Sequence, residues 1–245
     1  MDYRLHDVIW TDDKVGRFWD YENNERKFQG AWFTFQVGDG VWNFTKRFIP
    51  KKAKILDYSA GKGFLSKRIL EESTMAVDCA EFSGKGLQNI EHLISHYPNF
   101  GRVIPIQSFP IDAADHSYDA VYFVEAIEHL TDNYYLTTLT ELKRLIKYGG
   151  ILIITTRNNE NLDENLVCCP DCGCVFHRVQ HIRSFTPKIM TSLMESLGFI
   201  TLYCRALNFS QYKDKLKLST KIIKFVNNYR KDIKQPHLVY IGKLL

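Results

Sequence analysis

The sequence lacks any long hydrophobic run, and none of its 245 residues lies in a segment approaching about 18 uninterrupted apolar residues. This argues against a membrane-spanning helix. The opening segment MDYRLHDVIW has no apolar stretch of the kind that a secretory signal peptide requires. The net charge is only +4, which is too small to indicate a nucleic-acid partner by itself.

Cysteine is scarce outside one short segment. Four of the six cysteines lie between positions 168 and 174, whereas Cys79 and Cys204 stand alone. A secreted disulfide framework distributes its cysteines between distant segments, so this pattern predicts a reduced, cytoplasmic chain. With 45% hydrophobic and 24% charged residues, the composition also excludes an intrinsically disordered chain.

Aromatic residues are concentrated at the amino terminus. Residues 1–50 contain all four tryptophans, and we expect them to form an aromatic lid over a domain spanning residues 51–245. Rings that could stack on a sugar or aryl acceptor are Trp19, Tyr21, Trp32, Phe33 and Phe35. The alternative is that two amino-terminal helices simply pack on the sheet.

From residue 51 onward, apolar strands alternate with amphipathic helices. The predicted strands are 54–59, 75–79, 102–107, 119–124, 150–156, 200–204 and 237–244, and the predicted helices are 64–73, 86–97, 136–147 and 186–199. Such alternation predicts an α/β fold with a doubly wound, Rossmann-like parallel sheet. A Cys/His insertion (160–184) and a basic helical segment (210–235) interrupt the pattern.

A glycine-rich turn follows the first of these strands. Asp57 ends the strand, Gly61 and Gly63 form the turn, and a helix begins at Phe64, so backbone amides can approach a ligand closely. Asp78 ends the second predicted strand, where a carboxylate can bind a ribose. The alternative is an ordinary strand–helix turn with a capping aspartate.

Four segments carry a family resemblance: ILDYSAGKGF (55–64), MAVDCAEFS (75–83), HSYDAVYFVEAIEHL (116–130) and LKRLIKYGGILIITTRN (142–158). In this order they resemble the class I S-adenosylmethionine-dependent methyltransferases, over roughly residues 50–205. The resemblance implies a seven-stranded sheet of order 3-2-1-4-5-7-6 with an antiparallel last strand. Dehydrogenases share such a glycine turn, but the double glycine before strand 5 and the final strand pair argue against them.

The same resemblance implies a binding site for S-adenosylmethionine. Asp57 and the backbone of 59–63 would hold its methionine end, Asp78 its ribose, and the loop 107–109 its adenine. The full implied set is Asp57, Ser59, Gly61, Gly63, Asp78, Cys79, Ser108, Phe109 and Glu125. Ser59 stands where the family usually has a glycine, so we expect this turn to keep a φ angle that serine tolerates.

Glu125, Glu128 and His129 follow the fourth strand at i, i+3 and i+4, so one helical turn would place them on one side. The pattern resembles that of ubiquinone-biosynthesis O-methyltransferases and of the plant enzyme that methylates small-RNA 3′ ends, which also use a downstream histidine, here His181. That resemblance implies a site for Mg²⁺, Mn²⁺ or Zn²⁺. Alternatively, His129 is a lone general base, or all three residues are structural.

The insertion contains a second candidate metal site. Cys169, Cys172, His177 and His181 form the pattern C-x2-C-x4-H-x3-H, which is typical of a zinc knuckle. Cys168 or Cys174 could replace one histidine, and a loop of inert thiols is the alternative. The two candidate sites compete for His181. This segment also resembles one in methyltransferases of bacterial surface-glycan gene clusters.

The sequence therefore predicts a methyltransferase acting on a hydroxyl of a small molecule or glycan. Quinone precursors and RNA 3′ ends are alternative acceptors, and a non-catalytic zinc-knuckle interaction protein on a methyltransferase scaffold is an alternative class. The basic stretch 213–234 could contact an anionic membrane or a phosphorylated acceptor, or form a solvated helix face. We expect no extended nucleic acid, because no basic groove with interleaved aromatic residues is present.

Overall fold

The structure is a computed structural model that describes residues 3–24, 30–213 and 235–245. The basic stretch 213–234, apart from its first residue, lies outside these described residues. Among the residues described, no helix is both long and apolar enough to cross a membrane.

A central sheet of seven strands organises the chain. Its strands are β2 (Lys54–Tyr58), β3 (Ala76–Glu81), β4 (Phe100–Pro105), β5 (Tyr118–Val124), β6 (Ile146–Arg157), β9 (Phe199–Leu207) and β10 (His237–Leu244). Their spatial order is β4-β3-β2-β5-β6-β10-β9, and β10 runs antiparallel to both of its neighbours. The predicted strand order is confirmed.

Helices cover both faces of this sheet. They are α1 (Asp12–Asn24), α2 (Phe33–Thr45), α3 (Phe64–Glu72), α4 (Gly84–Ile94), α5 (Asp132–Leu145) and α6 (Pro187–Ser196). One apolar layer combines α2, α3 and α4 with one sheet face, and the other combines α5 and α6 with the opposite face. Between these layers β5 is buried along most of its length, as its nearly continuous apolar sequence predicts.

Two amino-terminal helices occupy the predicted lid segment, but they have different environments. Helix α2 belongs to the core, since Val41, Trp42 and Phe44 are buried in it. Helix α1 lies against α4, where Asn23 and Asp20 both hydrogen-bond the Ser83 hydroxyl. Only part of the aromatic segment can therefore contact a ligand.

The Cys/His insertion forms a small sheet of its own. Strands β7 (Leu166–Cys168) and β8 (Cys174–His177) form an antiparallel hairpin, and β1 (His6–Asp7) pairs in parallel with β8. The backbone of Arg4 approaches Gly173 so closely that a Cβ there would lie 2.4 Å from the Arg4 carbonyl oxygen. The amino terminus is thereby fastened to the insertion.

Candidate active site

A cavity of about 680 Å³ lies at the carboxyl ends of the central strands. This is the edge at which doubly wound sheets bind their ligands. Residues that follow β2, β3 and β5 form its floor, and helix α1 with residues 31–34 forms the opposite wall. Trp19, Trp32 and Phe33 line the cavity, whereas Tyr21 and Phe35 are about half exposed.

The glycine-rich turn contributes backbone to the cavity. Ser59 has a φ of 60°, so the serine adopts the left-handed conformation that glycine accepts without strain, contrary to the expectation from sequence. Gly61 also has a positive φ, and a Cβ there would lie 2.5 Å from the Trp32 ring. A glycine at position 61 is required both by its backbone angle and by the packing of Trp32.

Glu81 is the acidic side chain that β3 delivers to the cavity. Its carboxylate accepts hydrogen bonds from the backbone N–H of Gly61 at 2.7 Å and of Phe82 and Ser83 at 3.0 Å. It is 2% exposed, and burial raises its pKa to about 7. Glu81 thus joins the glycine turn to the start of α4 and remains on the cavity wall.

Asp78 and Cys79 do not line the cavity, so the structure does not bring them to the place where their predicted contacts with the cofactor would be made. Strand β3 continues to Glu81, and three residues of strand place Asp78 roughly 10 Å short of its end. Asp78 instead accepts a hydrogen bond from the Tyr118 hydroxyl at 2.8 Å and pairs with Lys54 at 3.1 Å. The Cys79 thiol is buried beside the Ser66 hydroxyl.

Asp57 supports the turn from beneath the cavity. Its Oδ2 accepts a hydrogen bond from the Ser66 hydroxyl of α3 at 2.6 Å, and burial raises its pKa to about 6. Gly63, with a φ of 77°, caps the start of α3. In the predicted adenine loop, Phe109 lines the cavity, whereas Ser108 is exposed.

Glu125 stands at the end of β5 in a left-handed conformation, with a φ of 47°. Its amide donates to the Thr155 carbonyl at 2.9 Å, and its Oε1 accepts from the Thr155 hydroxyl at 2.8 Å. Burial raises its pKa to about 7. A non-glycine residue held in this conformation at a cavity is typical of a functional site.

Glu128, His129 and His181 converge beside Glu125. One ligand atom from each of the three lies within 4.8 Å of the others. Glu128 is fully buried, and within the described residues neither of its oxygens makes a hydrogen bond of ordinary geometry, although its own backbone N–H and the Thr156 side chain are near enough to lower its pKa. Burial first, and then the charge of Glu125, raise the pKa of Glu128 well above its usual range.

The two histidines of this cluster are oriented by hydrogen bonds at Nδ1. His181 Nδ1 contacts the Glu160 carboxylate, and His129 Nδ1 lies 3.2 Å from the Gln180 carbonyl oxygen. Because both partners accept, each Nδ1 carries a proton. Nε2 of His181 lies 4.0 Å from Oε1 of Glu128. Burial and His181 lower the pKa of His129 to about 3, so it is neutral near pH 7.

His177 belongs to a second cluster, with Glu160 and His181. Its Nδ1 accepts hydrogen bonds from the backbone N–H of His181 at 3.1 Å and of Val179 at 3.4 Å. Its proton is therefore on Nε2, which lies 3.7 Å from Glu160 and offers no lone pair. This residue supports Glu160, which in turn orients His181, as carboxylates commonly do behind a ligand histidine.

The predicted Cys–His zinc knuckle is not assembled. Cys169 and Cys172 lie at the turn of the β7–β8 hairpin, whereas His177 ends β8 opposite Leu166. An extended strand rises about 3.3 Å per residue, so Cys174 and His177 are roughly 10 Å apart along it. In the described part of the chain, neither cluster includes a cysteine. His181 belongs to both clusters, one with Glu128 and His129 and the other with Glu160 and His177.

Three residues at this site were missed by reading the sequence. Glu81 had a detectable signal, because MAVDCAE can be read as a strand ending in the second acidic residue. Glu160 and Gln180 lie in loops, and their contacts with His181 and His129 depend on segments that are distant along the chain.

Comparison with known proteins agrees with this architecture. Residues 36–203 match the model of the methyltransferase domain. The chain belongs to the methyltransferase-domain family. This confirms the expected class, the S-adenosylmethionine-dependent methyltransferases, and therefore an enzyme. The sequence matches no curated protein.

Solved structures of low sequence identity share the fold of this methyltransferase. A chain from the Haloferax volcanii complex between the Trm112 methyltransferase activator and a methyltransferase has a TM-score of 0.62 at 15% identity, with 96% of this chain and 99% of that chain covered. The Burkholderia thailandensis 1,6-didemethyltoxoflavin-N1-methyltransferase has a TM-score of 0.63 at 12% identity, with 98% and 93% covered. A SAM-dependent methyltransferase from Aquifex aeolicus has a TM-score of 0.58 at 13% identity, with 97% and 100% covered.

Proposed function

We propose that this methyltransferase acts on a hydroxyl group of a small-molecule or glycan acceptor, with a divalent cation held by Glu128, His129 and His181. One observation carries the proposal: among the described residues, the fully buried carboxyl of Glu128 has no hydrogen-bond donor of ordinary geometry, and its Oε1 lies 4.0 Å from Nε2 of His181. Burial raises the pKa of Glu128, so without a cation this carboxyl is protonated and neutral. A bound cation would take the place of that proton and would compensate the charge of the ionised carboxylate.

The chemistry of the donor set supports the same proposal. One carboxylate and two imidazoles suit Mn²⁺ or Zn²⁺ better than Mg²⁺, which prefers oxygen. Bonds of about 2.1 Å to a shared ion bring ligand atoms to within roughly 4.2 Å of one another, close to the spacing of this cluster. When bound, such an ion supplies positive charge that makes an adjacent hydroxyl more acidic.

On the other side of the cavity, we assign S-adenosylmethionine to the backbone of Ser59–Gly61 and to Glu81. The Glu81 carboxylate is positioned to accept hydrogen bonds from ribose hydroxyls, the role first predicted for Asp78. Phe109 and Gln107 would flank the adenine. The positive sulfonium would then lie in a cavity to which the Glu81 and Glu125 carboxylates contribute negative charge.

Methyl transfer forms a bond from the acceptor oxygen to the methyl carbon while the carbon–sulfur bond breaks. The sulfur keeps the electron pair, so S-adenosylhomocysteine leaves as a neutral thioether. The hydroxyl proton also has to leave, and we assign Glu125 as its acceptor. This residue lines the cavity, and a pKa of about 7 suits a general base near neutral pH.

The acceptor side of the cavity carries Trp19, Trp32 and Phe33. Flat aromatic faces bind the apolar face of a sugar or an aryl ring. This wall therefore favours a ring-bearing hydroxyl compound. Quinone precursors share that chemistry, whereas an RNA 3′ end would need an additional basic surface for its phosphates.

The test combines metal analysis with an acceptor screen. Purified protein is analysed for bound metal, and methyl transfer is assayed on nucleotide-sugars, oligosaccharides, catechols and short RNA. We expect about one bound Mn²⁺ or Zn²⁺, loss of turnover with a chelator, and loss of both metal and turnover in His181→Ala. Cys169→Ser is the matched control and should retain both.

Each other outcome identifies a different mechanism. Chelator-resistant turnover that is lost only in His129→Ala would establish His129 as a lone base and reject the cation. Transfer exclusively to nitrogen acceptors would reject the proposed chemistry. Failure of calorimetric titration to detect S-adenosylmethionine binding would favour a non-catalytic interaction protein.

A further inference from the structure

Gln180 lies between the lid helix α1 and the histidine cluster, and its side chain is completely buried. Its Oε1 accepts a hydrogen bond from the Trp19 indole N–H at 2.9 Å, and its Nε2 donates to the His129 carbonyl at 2.9 Å. An indole N–H only donates and a carbonyl only accepts, so these partners determine the orientation of the amide. Both ends of a buried polar side chain are thereby satisfied.

The backbone of Gln180 contacts the same histidine. Its carbonyl oxygen lies 3.2 Å from His129 Nδ1, and its amide donates to the His177 carbonyl at 2.8 Å. Its φ of 59° turns the chain so that side chain and carbonyl reach His129 together. A strained residue that is fully hydrogen-bonded at a cavity is typical of a positioning role.

Trp19 also contacts His129 directly. The two rings meet edge to face with centroids 4.7 Å apart, and His181 contacts His129 at 4.7 Å between centroids. Trp19 further contacts Trp32, the residue that packs on Gly61 of the glycine turn. The lid, the glycine turn and the histidine cluster are thus connected through two tryptophans and one glutamine.

We propose that Gln180 is a positioning residue that couples the aromatic lid to His129 and holds its ring in the tautomer with the proton on Nδ1. Through this contact, the position of Trp19 on the acceptor side determines how well the Nε2 lone pair is presented. The role of that lone pair rests on the proposed function, but the coupling is a property of the protein alone.

The test uses two variants and a matched control. Trp19→Phe removes the indole N–H and keeps an aromatic ring, and Gln180→Met keeps the length of the side chain and removes its hydrogen bonds. Trp10→Phe is the control, because Trp10 makes ring contacts with Phe18 and Phe176, away from Gln180. Two properties are measured in the full-length protein without cofactor or acceptor: the His129 tautomer, by long-range ¹⁵N–¹H correlation, and the affinity for Mn²⁺.

We expect the wild type and Trp10→Phe to show a single Nδ1–H tautomer. Gln180→Met should show mixed tautomers and bind Mn²⁺ about 10- to 100-fold more weakly, the range for residues that orient ligand histidines. Trp19→Phe should show a smaller change in the same direction. Wild-type tautomer and affinity in Trp19→Phe and Gln180→Met would overturn the coupling. Should Gln180→Met fail to fold, Trp19→Phe decides.

The two proposals fail in different ways. Absence of Mn²⁺ or Zn²⁺ binding in the wild type would reject the cation, while the tautomer measurement would still test Gln180. Normal metal binding together with an unchanged tautomer in the variants would reject the coupling and leave the proposed function intact.

Discussion

The glycine-turn wall of the cavity (Ser59–Gly61 and Glu81) presents mainly backbone, whereas the histidine wall (His129 and His181, with Glu128 fully buried next to them) presents side chains. On the first wall, Glu81 is satisfied by three backbone amides. On the second wall, Glu128 is buried without an ordinary donor. The first wall is therefore hydrogen-bonded within the protein, whereas the second contains a carboxyl that would be ionised only beside a further positive charge. We expect substitutions on the two walls to affect binding and turnover differently.

The largest effect should follow Glu128→Gln, which preserves shape and removes the buried charge. If the histidine wall holds a cation, this variant loses the metal, and turnover falls by at least about 10²-fold because several kcal/mol of charge stabilisation disappear. Affinity for S-adenosylhomocysteine, measured by calorimetry, should stay unchanged. Glu164→Gln, at an exposed position, is the control. Full metal content and turnover in Glu128→Gln would remove the contrast between the walls.

A different effect is expected from Glu81→Ala. The loss of a hydrogen bond to a charged group costs about 1.5–3 kcal/mol, so affinity for S-adenosylmethionine should weaken roughly 10- to 100-fold. Turnover at saturating cofactor should change little, because Glu81 does not contact the acceptor side. Asp78→Asn is the informative comparison, since it should alter stability and leave affinity unchanged. A loss of affinity in Asp78→Asn instead would restore the original assignment of the ribose contact.

Asp78 and Glu81 show which features the sequence could not predict. Alternating strands and helices were sufficient for the fold class, the family resemblance implied the strand order, and the i, i+3, i+4 spacing after a buried strand predicted that Glu125, Glu128 and His129 lie close together. The predicted end of β3 fell two residues short of its end in the structure, so the ribose contact was predicted at Asp78, whereas we propose Glu81. Local spacing also suggested a knuckle at Cys169. Spacing alone could not show that β8 is an extended strand, because β8 pairs with β1, which begins 168 residues earlier.

The pH dependence of binding should sharpen the description of the glycine-turn wall. Burial raises the pKa of Glu81 to about 7, and in the proposed complex the ribose hydroxyls would donate to its ionised form. Affinity for S-adenosylmethionine should therefore increase roughly 10-fold from pH 6 to pH 8, and Glu81→Gln should abolish this increase.

Stability should change in the opposite direction. Because the folded-state pKa of Glu81 is raised, its protonated form is favoured by folding, and this contribution is complete below about pH 4.5 and is lost as the pH rises through 7. Urea unfolding across that window, with Glu81→Gln as the reference, measures the contribution. Parallel changes in affinity and stability with pH would contradict this account.

The smallest effect is expected from Ser59→Gly. Relief of the left-handed φ should raise the free energy of unfolding by roughly 1–2 kcal/mol. A glycine also gives the unfolded chain more conformational freedom, which lowers the free energy of unfolding by about 0.5–1 kcal/mol. The net gain in the free energy of unfolding should be no more than about 1 kcal/mol, measured by urea unfolding. Ser59→Ala keeps the backbone strain and should show no gain, so the difference between the two variants isolates the backbone. If Ser59→Gly and Ser59→Ala lose stability equally, the serine hydroxyl matters more than the φ angle, and the glycine-turn wall depends on a side chain after all.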